Sequence, residues 1–597
     1  MKKIKKLLVS TMALMMTFGA VACGGGGGGV PSLPNSSGQG SSSSVSTPDE
    51  GGDDNSDYVP VNPFTLNVYS FSGGYGTDWM ESLITRYKKE RAGDEIWVNG
   101  IKYDGIHINK TYAKHILESM IGTGEQYDVW FQEQVYYNQY VARGDLFHDM
   151  TDVLTSENPY EPGKTLESKM SEEQKAYYER DGKYYGVPHY AGYVGIVYNK
   201  QMFDSNWCYL KKDYDKDKLE TEPAWCFVSN LDEPRTPGPD GIEFTDDDGL
   251  PTTYAEFYAL CEYIAGSNKP ITWSGKHRHG YLSWFLMALS ANNEGLQQIS
   301  LNYTYDGTAT NLVAVTEDAE GNVTETPLED LAITPANGSE LAKQRGKYYA
   351  LDFLETIVDN NWYTETSFSQ TNEQTDAQRD FVMGVDNTSE RASMLIEGCW
   401  WEMESKESFD SLKQGGGVTN PKDNFRWMPL PCIDDEAAAE RAASIQAGGK
   451  GYTLTDTHNS LCFIGKQVSD DVYAIAKDFI QFAYTDESLA DFSIITDTTK
   501  AVQYKMTNSQ KAKMSAYGRS LMDMQEKADI VCTFAENDFY QKNETRFVDY
   551  KTLYDAVYDG KTVQVCVDEF KKGVSATKYF NGMIANQKDL WDRYIIF

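Results

Sequence analysis

Three groups of residues in this sequence are of types that can do chemistry. The first is acidic. Asp and Glu number 89, enough for many accidental carboxylate pairs, so the two positioned acids that glycoside hydrolysis needs are not signalled by number alone. No Gly-x-Ser-x-Gly elbow, His-Glu-x-x-His pair or P-loop occurs. His458 stands near Asp456 and Ser460, but one short polar turn cannot arrange a catalytic triad. The second group is the oxygen-rich stretch 236–249, where Asp240, Asp246 and Asp248 alternate with glycine turns. Such oxygens suit Ca²⁺, although the spacing is not that of an EF-hand, and a solvated acidic loop accounts for it equally well. No cofactor is otherwise required. The third group is aromatic, with 40 Tyr and 12 Trp among 13% aromatic residues. That exceeds what a core needs, and carbohydrate sites are one frequent use of such rings. Sugar C–H faces stack on aromatic rings, while the hydroxyls need fixed polar partners. The residues therefore point to binding, not turnover.

The elements that must position these groups alternate in type. Residues 64–71 alternate like a strand, 72–76 form a glycine-rich loop, and 78–90 carry Trp79, Leu83, Ile84 and Tyr87 on one helical face. A second short buried strand runs over 127–131, with a helix near 135–142 closed by Gly144. Strands at 183–188 and 195–198 flank the segment 189–194. Further helices are expected at 253–265, 281–290, 342–360 and 472–484. Residues 302–326 alternate polar and β-branched types around two turn signals and read as an inserted hairpin pair. Strands interleaved with helices predict an α/β fold with mainly parallel sheets and helices on both faces.

The amino terminus states where the chain works. Four lysines within the first six residues precede an apolar run at 7–18, too short to span a bilayer. Small residues follow, and then Cys23. That order predicts a lipoprotein signal over 1–22 with Cys23 as the lipidated end, although Ala20 replaces the usual leucine of the lipobox. Residues 23–62 read as an anchor cysteine and a disordered Gly/Ser/Asp tether. The remaining chain is long enough for two sizeable lobes. The full chain's formal charge of −35 opposes nucleic acid and anionic lipid, so membrane contact is expected through the N-terminal lipid only. No CxxC pair occurs among the nine cysteines, which argues against structural zinc. One bridge, Cys208–Cys226, is weighed equally with buried free thiols.

Several stretches, in order, resemble the sugar-binding lipoproteins of bacterial ABC importers, the extracellular solute-binding protein family 1. Asp-Gly-Lys-Tyr-Tyr-Gly-Val-Pro at 181–188 through Gly-Ile-Val-Tyr-Asn-Lys at 195–200 resembles the family's first crossing between lobes. Residues 250–257 resemble its Pro-x-Thr-x-x-Glu helix start. Met-Leu-Ile-Glu-Gly-Cys-Trp-Trp at 394–401 resembles its strand-to-helix turn, and 474–485 its Ala-x-x-Phe-x-x-Phe helix. The match covers 64 to about 500; the insert has no place in it.

The resemblance implies a two-lobed periplasmic-binding-protein-like (type II) fold with hinge crossings and a ligand between the lobes. Lobe one is expected from 63–190 with about 460–510, and lobe two from about 191–459 with 511–597. It also implies a carbohydrate ligand, an ABC permease and a separate ATPase, and a monomer lipid-anchored on the outer face of the cytoplasmic membrane. Trp400 matches the family's stacking tryptophan, and Glu402 could accept from sugar hydroxyls. Loops at the carboxyl ends of parallel strands face the crevice, which adds Tyr75, Gln132 and Glu133. Tyr190 and Tyr193 flank the hinge at Gly192, and Trp273 lies in a loop before Gly275. Of the adjacent Trp400 and Trp401, one is expected inward and one outward, and Trp284 is expected in the core. A receptor for a peptide or cationic solute, or an anchored glycoside hydrolase, are the alternatives.

Overall fold

A computed structural model describes residues 60–594 apart from 116, 118, 121–125, 136, 384–390, 415–420, 458–459, 533–554 and 559–563. The signal, Cys23 and the tether up to 59, and His458, lie outside the described residues. In chain order, the strands of the two main sheets are β1 (Phe64–Phe71), β2 (Ile106–Ala113), β3 (Val129–Gln132), β4 (Val187–Pro188), β5 (Val194–Asn199), β6 (Lys269–Thr272), β7 (Ala392–Gly398), β8 (Phe425–Met428) and β9 (Leu461–Ile464). One sheet has the order β2-β1-β3-β9-β4, the other β6-β7-β5-β8.

Both sheets are mixed in direction. Pairing is parallel where a lobe is built from its own consecutive chain, as between β1 and its neighbours β2 and β3, and between β6 and β7. It turns antiparallel at strands that adjoin the crossings: β9 against β3 and β4, and β5 against β7 and β8. A strand that enters from the other lobe arrives from the opposite end, and the antiparallel ladder accommodates it without a crossover helix.

The covering helices follow from their apolar faces. The helix α1 (Asp78–Glu90) buries Trp79, Met80, Leu83, Ile84 and Tyr87. The helices at Asp470–Ala483 and Asp486–Thr496 pack beside it. Tyr87 Oη donates to Asp478 at 2.7 Å, and its ring meets Phe479 at 5.0 Å. In the second lobe, the helix α2 (Tyr254–Ala265) opens on a capping box, in which the Thr253 hydroxyl accepts from the Glu256 N–H and the Glu256 carboxylate accepts from the Thr253 N–H. That pairing satisfies donors a helix start leaves open, and explains why Glu256 can be buried. The segment α3 (Arg278–Thr304) is two helices in sequence, because Gly295 between them, with φ 72° and ψ 168°, is not helical. The insert therefore begins after Thr304. It forms one hairpin, Val313–Glu317 with Val323–Pro327, and an outer antiparallel pair, Gly307–Ala309 with Leu331–Ile333, beside a small separate core that includes Leu301, Tyr305 and Trp591.

Three chain segments pass between the sheets and hydrogen-bond to one another. Between β4 and β5, His189 N–H donates to Ser460 O at 3.0 Å, and Gly192 N–H to the Asp456 carboxylate at 3.0 Å. Thr457 N–H donates back to Gly192 O at 2.9 Å. The third segment follows Thr496, and there Lys500 bridges to Tyr190 and Ala501 N–H donates to His189 O. The chain then enters the second lobe, where Ser520 Oγ accepts from Trp427 N–H at 2.8 Å.

Cys208 and Cys226 are free, buried thiols, so the bridge weighed above is not formed. Burial pushes the Cys208 thiol up to about 12, which keeps it protonated and inert. The Asp240–Asp248 loop is held by its own hydrogen bonds and one ion pair. Asp240 pairs with Lys527 Nζ at 2.9 Å, and the Asp247 and Asp248 carboxylates accept backbone N–H groups of Asp240 and Phe244. Among the described residues, no three acid, His or Cys side chains are placed to hold a metal. The turn spends its oxygens on its own backbone and on a lysine from a neighbouring helix end.

Candidate ligand-binding site

The loops after β1 and β7 meet between the sheets. The first is rich in glycine, and the meeting shows why. A Cβ on Gly74 would lie 2.4 Å from Trp400 Cδ1, and one on Gly73 2.3 Å from a Glu133 oxygen. Tyr75, at the tip, is 2% exposed. Its hydroxyl donates to Ala191 O at 2.5 Å and lies 3.4 Å from Cys399 Sγ. One side chain of the first lobe thus touches both the hinge and the second lobe's β7 turn.

The aromatic rings collect around Tyr75. Tyr190 lies 4.1 Å from it and Trp400 6.3 Å, centroid to centroid. Tyr281 and Trp284, from α3, approach Trp400 at 6.4 and 6.3 Å. Trp400 faces this seam, whereas Trp401 packs into the second lobe against Phe381, Phe425 and Tyr517. Both are buried, so "outward" for Trp400 means toward the seam, not toward solvent. Trp284, expected in the core, is a seam residue instead, because α3 passes beneath the β7 turn.

Carboxyl groups share the seam. Tyr190 Oη donates to Glu133. Glu397, at the end of β7, accepts from Gly398 N–H at 2.8 Å, and the Gln378 amide donates to both Glu397 and Glu404, at 3.3 and 2.8 Å. Burial first, and Glu404 second, push Glu133 up to about 8 and Glu397 well above the usual carboxylate range. Removing water destabilises the charged form, and neighbouring acids cannot all ionise. A protonated carboxyl can donate as well as accept, which suits a polyhydroxyl ligand.

Glu133 is expected to leave a pH signature. Its proton is held in the folded protein up to about 8, but in the unfolded chain only up to about 4.5. The folded state then binds the extra proton across that window, and stability falls as pH rises, by about 1.4 kcal/mol per unit. Glu133→Gln should remove that slope. Urea midpoints at pH 5, 6, 7 and 8 check it, and parallel curves for the two proteins would refute it.

The other expected site residues fall as follows. Gln132 is fully buried, its amide donating to His115 O and Glu133 O. Tyr193 is fully buried, its backbone carbonyl accepting from Cys399 N–H at 2.8 Å. Trp273 is not with the seam rings; it packs against Tyr363 and Phe368 at 5.6 and 5.8 Å. Glu402 points away, accepting from Ser515 Oγ at 2.7 Å with Lys422 3.8 Å distant. One helical turn beyond the β7 turn, alternate residues face opposite sides, so Glu404 takes the seam position that Glu402 was expected to hold. Sequence reasoning missed Tyr281, Glu397 and Glu404. Glu397 was detectable as the only acid in a strand of otherwise small and apolar residues.

A family profile described as a bacterial extracellular solute-binding protein matches residues 83–515. No curated protein matches the chain. Among solved structures, the sugar-binding protein MalE from Xanthomonas citri is 11% identical with a TM-score of 0.50, over 89% of this chain and 98% of that one. RafE from Streptococcus pneumoniae, in its apo form, is 14% identical with a TM-score of 0.49, over 90% and 100%. The first supports the two-lobed fold found here. With the profile spanning most of the chain and both lobes, this protein belongs to the bacterial extracellular solute-binding protein family.

Proposed function

We propose that the protein captures a sugar or oligosaccharide between its lobes and delivers it to a membrane permease driven by a separate ATPase. The observation that carries this reading is the seam itself. Five aromatic residues, Tyr75, Tyr190, Tyr281, Trp284 and Trp400, and three acids, Glu133, Glu397 and Glu404, converge from both lobes. Rings for sugar faces and buried carboxyls for hydroxyls are the two components such a ligand needs. The similar solved structure MalE is named a sugar-binding protein. The receptor is non-catalytic and monomeric in this account. It is held at the outer face of the membrane by lipid on Cys23, with lobes divided near residues 190, 460 and 510. Ligand contact with both lobes favours the closed state.

The three carboxyls favour a second reading, a ligand with a cationic group such as an amino sugar. One screen separates the two. A ligand present at about 100 times its dissociation constant adds about 2.7 kcal/mol to the folded state. Thermal shift against neutral oligosaccharides, amino sugars and basic peptides is expected to respond to a neutral oligosaccharide. A response to amino sugars or basic peptides alone would select the second reading. Silence throughout would reject both.

A further inference from the structure

A cavity of about 310 Å³ lies in the second lobe, where the C-terminal end of the helix Lys200–Asn206 meets that of α2. It shares no residue with the seam. Its wall includes Asn206, Trp207, Cys208, Tyr263, Ser267 and Asn268, and none of its lining side chains is charged. In a chain of which 24% of residues are charged, a surface cavity with no acid or base in its wall is set apart. Its size is at the small end for ligand pockets, which fits one ring.

Trp207 is the unusual member. It caps the helix in the left-handed backbone region, with φ 56° and ψ 42°, a position that glycine or asparagine normally holds. A bulky side chain there is strained. It is also 44% exposed, so burial does not compensate the strain. Tyr263, opposite, is rigid: its ring stacks on Phe227 at 4.4 Å and 10°, and its hydroxyl donates to Asn206 O at 3.0 Å. The Asn206 amide nitrogen donates to Met202 O at 2.8 Å, and its amide oxygen is an acceptor. Cys208 is buried and protonated, and gives the cavity an apolar floor.

We infer that this cavity is a second carbohydrate site, for a single neutral pyranose ring. The indole of Trp207 offers the stacking face, and the amides and hydroxyls of Asn206, Ser267 and Asn268 offer both donors and acceptors. A cation would also stack on Trp207, but no carboxylate lines the wall to neutralise it. The site is independent of the seam and holds sugar whether or not the seam does.

Fluorine NMR of the full chain labelled with 5-fluorotryptophan tests this, with Trp207→Phe assigning the resonance and Trp400→Ala as the background that removes the seam's stacking ring. Glucose, galactose, xylose and N-acetylglucosamine are the probes, with tetramethylammonium as the cationic control. The Trp207 resonance should shift saturably with at least one sugar, with a dissociation constant on the order of 1–10 mM, as for a small polar ligand. No shift up to about 100 mM, or a shift with tetramethylammonium alone, would overturn the inference. Loss of the transported ligand in the Trp400→Ala background leaves this resonance readable, so failure of the seam reading and of this one are distinguishable.

Discussion

Replacing Lys500 with methionine should make the protein more stable at neutral pH, and the gain should shrink as pH rises. Lys500 is 3% exposed and enclosed by the rings of Trp79, Tyr484 and Phe492, with Nζ 4.8, 6.0 and 4.0 Å from their centroids. Its hydrogen-bond partner is His189 Nδ1 at 2.7 Å. A fully protonated pair could not make that bond, because neither nitrogen would have a lone pair. Burial is the main cause that drives the Lys500 amine well below its ordinary 10.5, with the Cys462 thiol the opposing neighbour. His189 is driven well below 6.5 by burial and then by Lys500. The Tyr484 phenol, pushed up by burial, stays neutral. The unfolded chain therefore binds a proton at Lys500 that the folded chain does not, between the lowered value and 10.5. Stability rises with pH across that window, by about 1.4 kcal/mol per unit. Methionine fills a similar volume without the desolvation cost but leaves His189 Nδ1 unpaired, at about 1–3 kcal/mol, so Lys500→Met should gain near pH 7 the part of the desolvation cost that exceeds this. That gain should be lost by about pH 10. Urea unfolding of both proteins from pH 7 to 10 measures the difference, and a gap that stays constant with pH would contradict a neutral Lys500.

The second large effect is expected at Gly74. A Cβ there meets Trp400 Cδ1 at 2.4 Å and Cγ at 2.7 Å, and the indole has Tyr75, Tyr281 and Trp284 around it. Gly74→Val should hold the lobes apart while each keeps its own core. If closure becomes a state populated about one part in a hundred, apparent ligand affinity falls about a hundredfold. Small-angle scattering should show a more extended particle, with the circular dichroism unchanged. Unaltered scattering together with unaltered affinity would mean that the seam closes differently from the arrangement described here.

How much of this was legible in the sequence differs by element. β1 and α1 could be read because their periodicity is local, and β7 and the segment around His189 because the family resemblance covers them and their turns carry Gly398 and Gly192. The second half of α3 could not, since Gly295, at φ 72° and ψ 168°, breaks the helix and no cap signal marks the restart that runs to Thr304. Direction of pairing was not legible either, because it depends on which lobe a strand comes from. In the site, Tyr75, Glu133, Tyr190 and Trp400 follow from strand-end position and from the family resemblance. Glu402 and Glu404 are two residues apart on one short helix, and only its rotation decides which one meets the seam. Lys500 and His189 are 311 positions apart, and nothing local to either marks the pair.

The claim that the seam is a sugar site rests most directly on Trp400. Calorimetric titration of the protein and of Trp400→Ala with the oligosaccharide that responds in the screen is the decisive measurement. The account predicts that the variant, still folded, loses at least about a hundredfold in affinity, since a buried stacking ring contributes a few kcal/mol through area and contact geometry. Equal affinity for the two proteins would place the ligand elsewhere and contradict it.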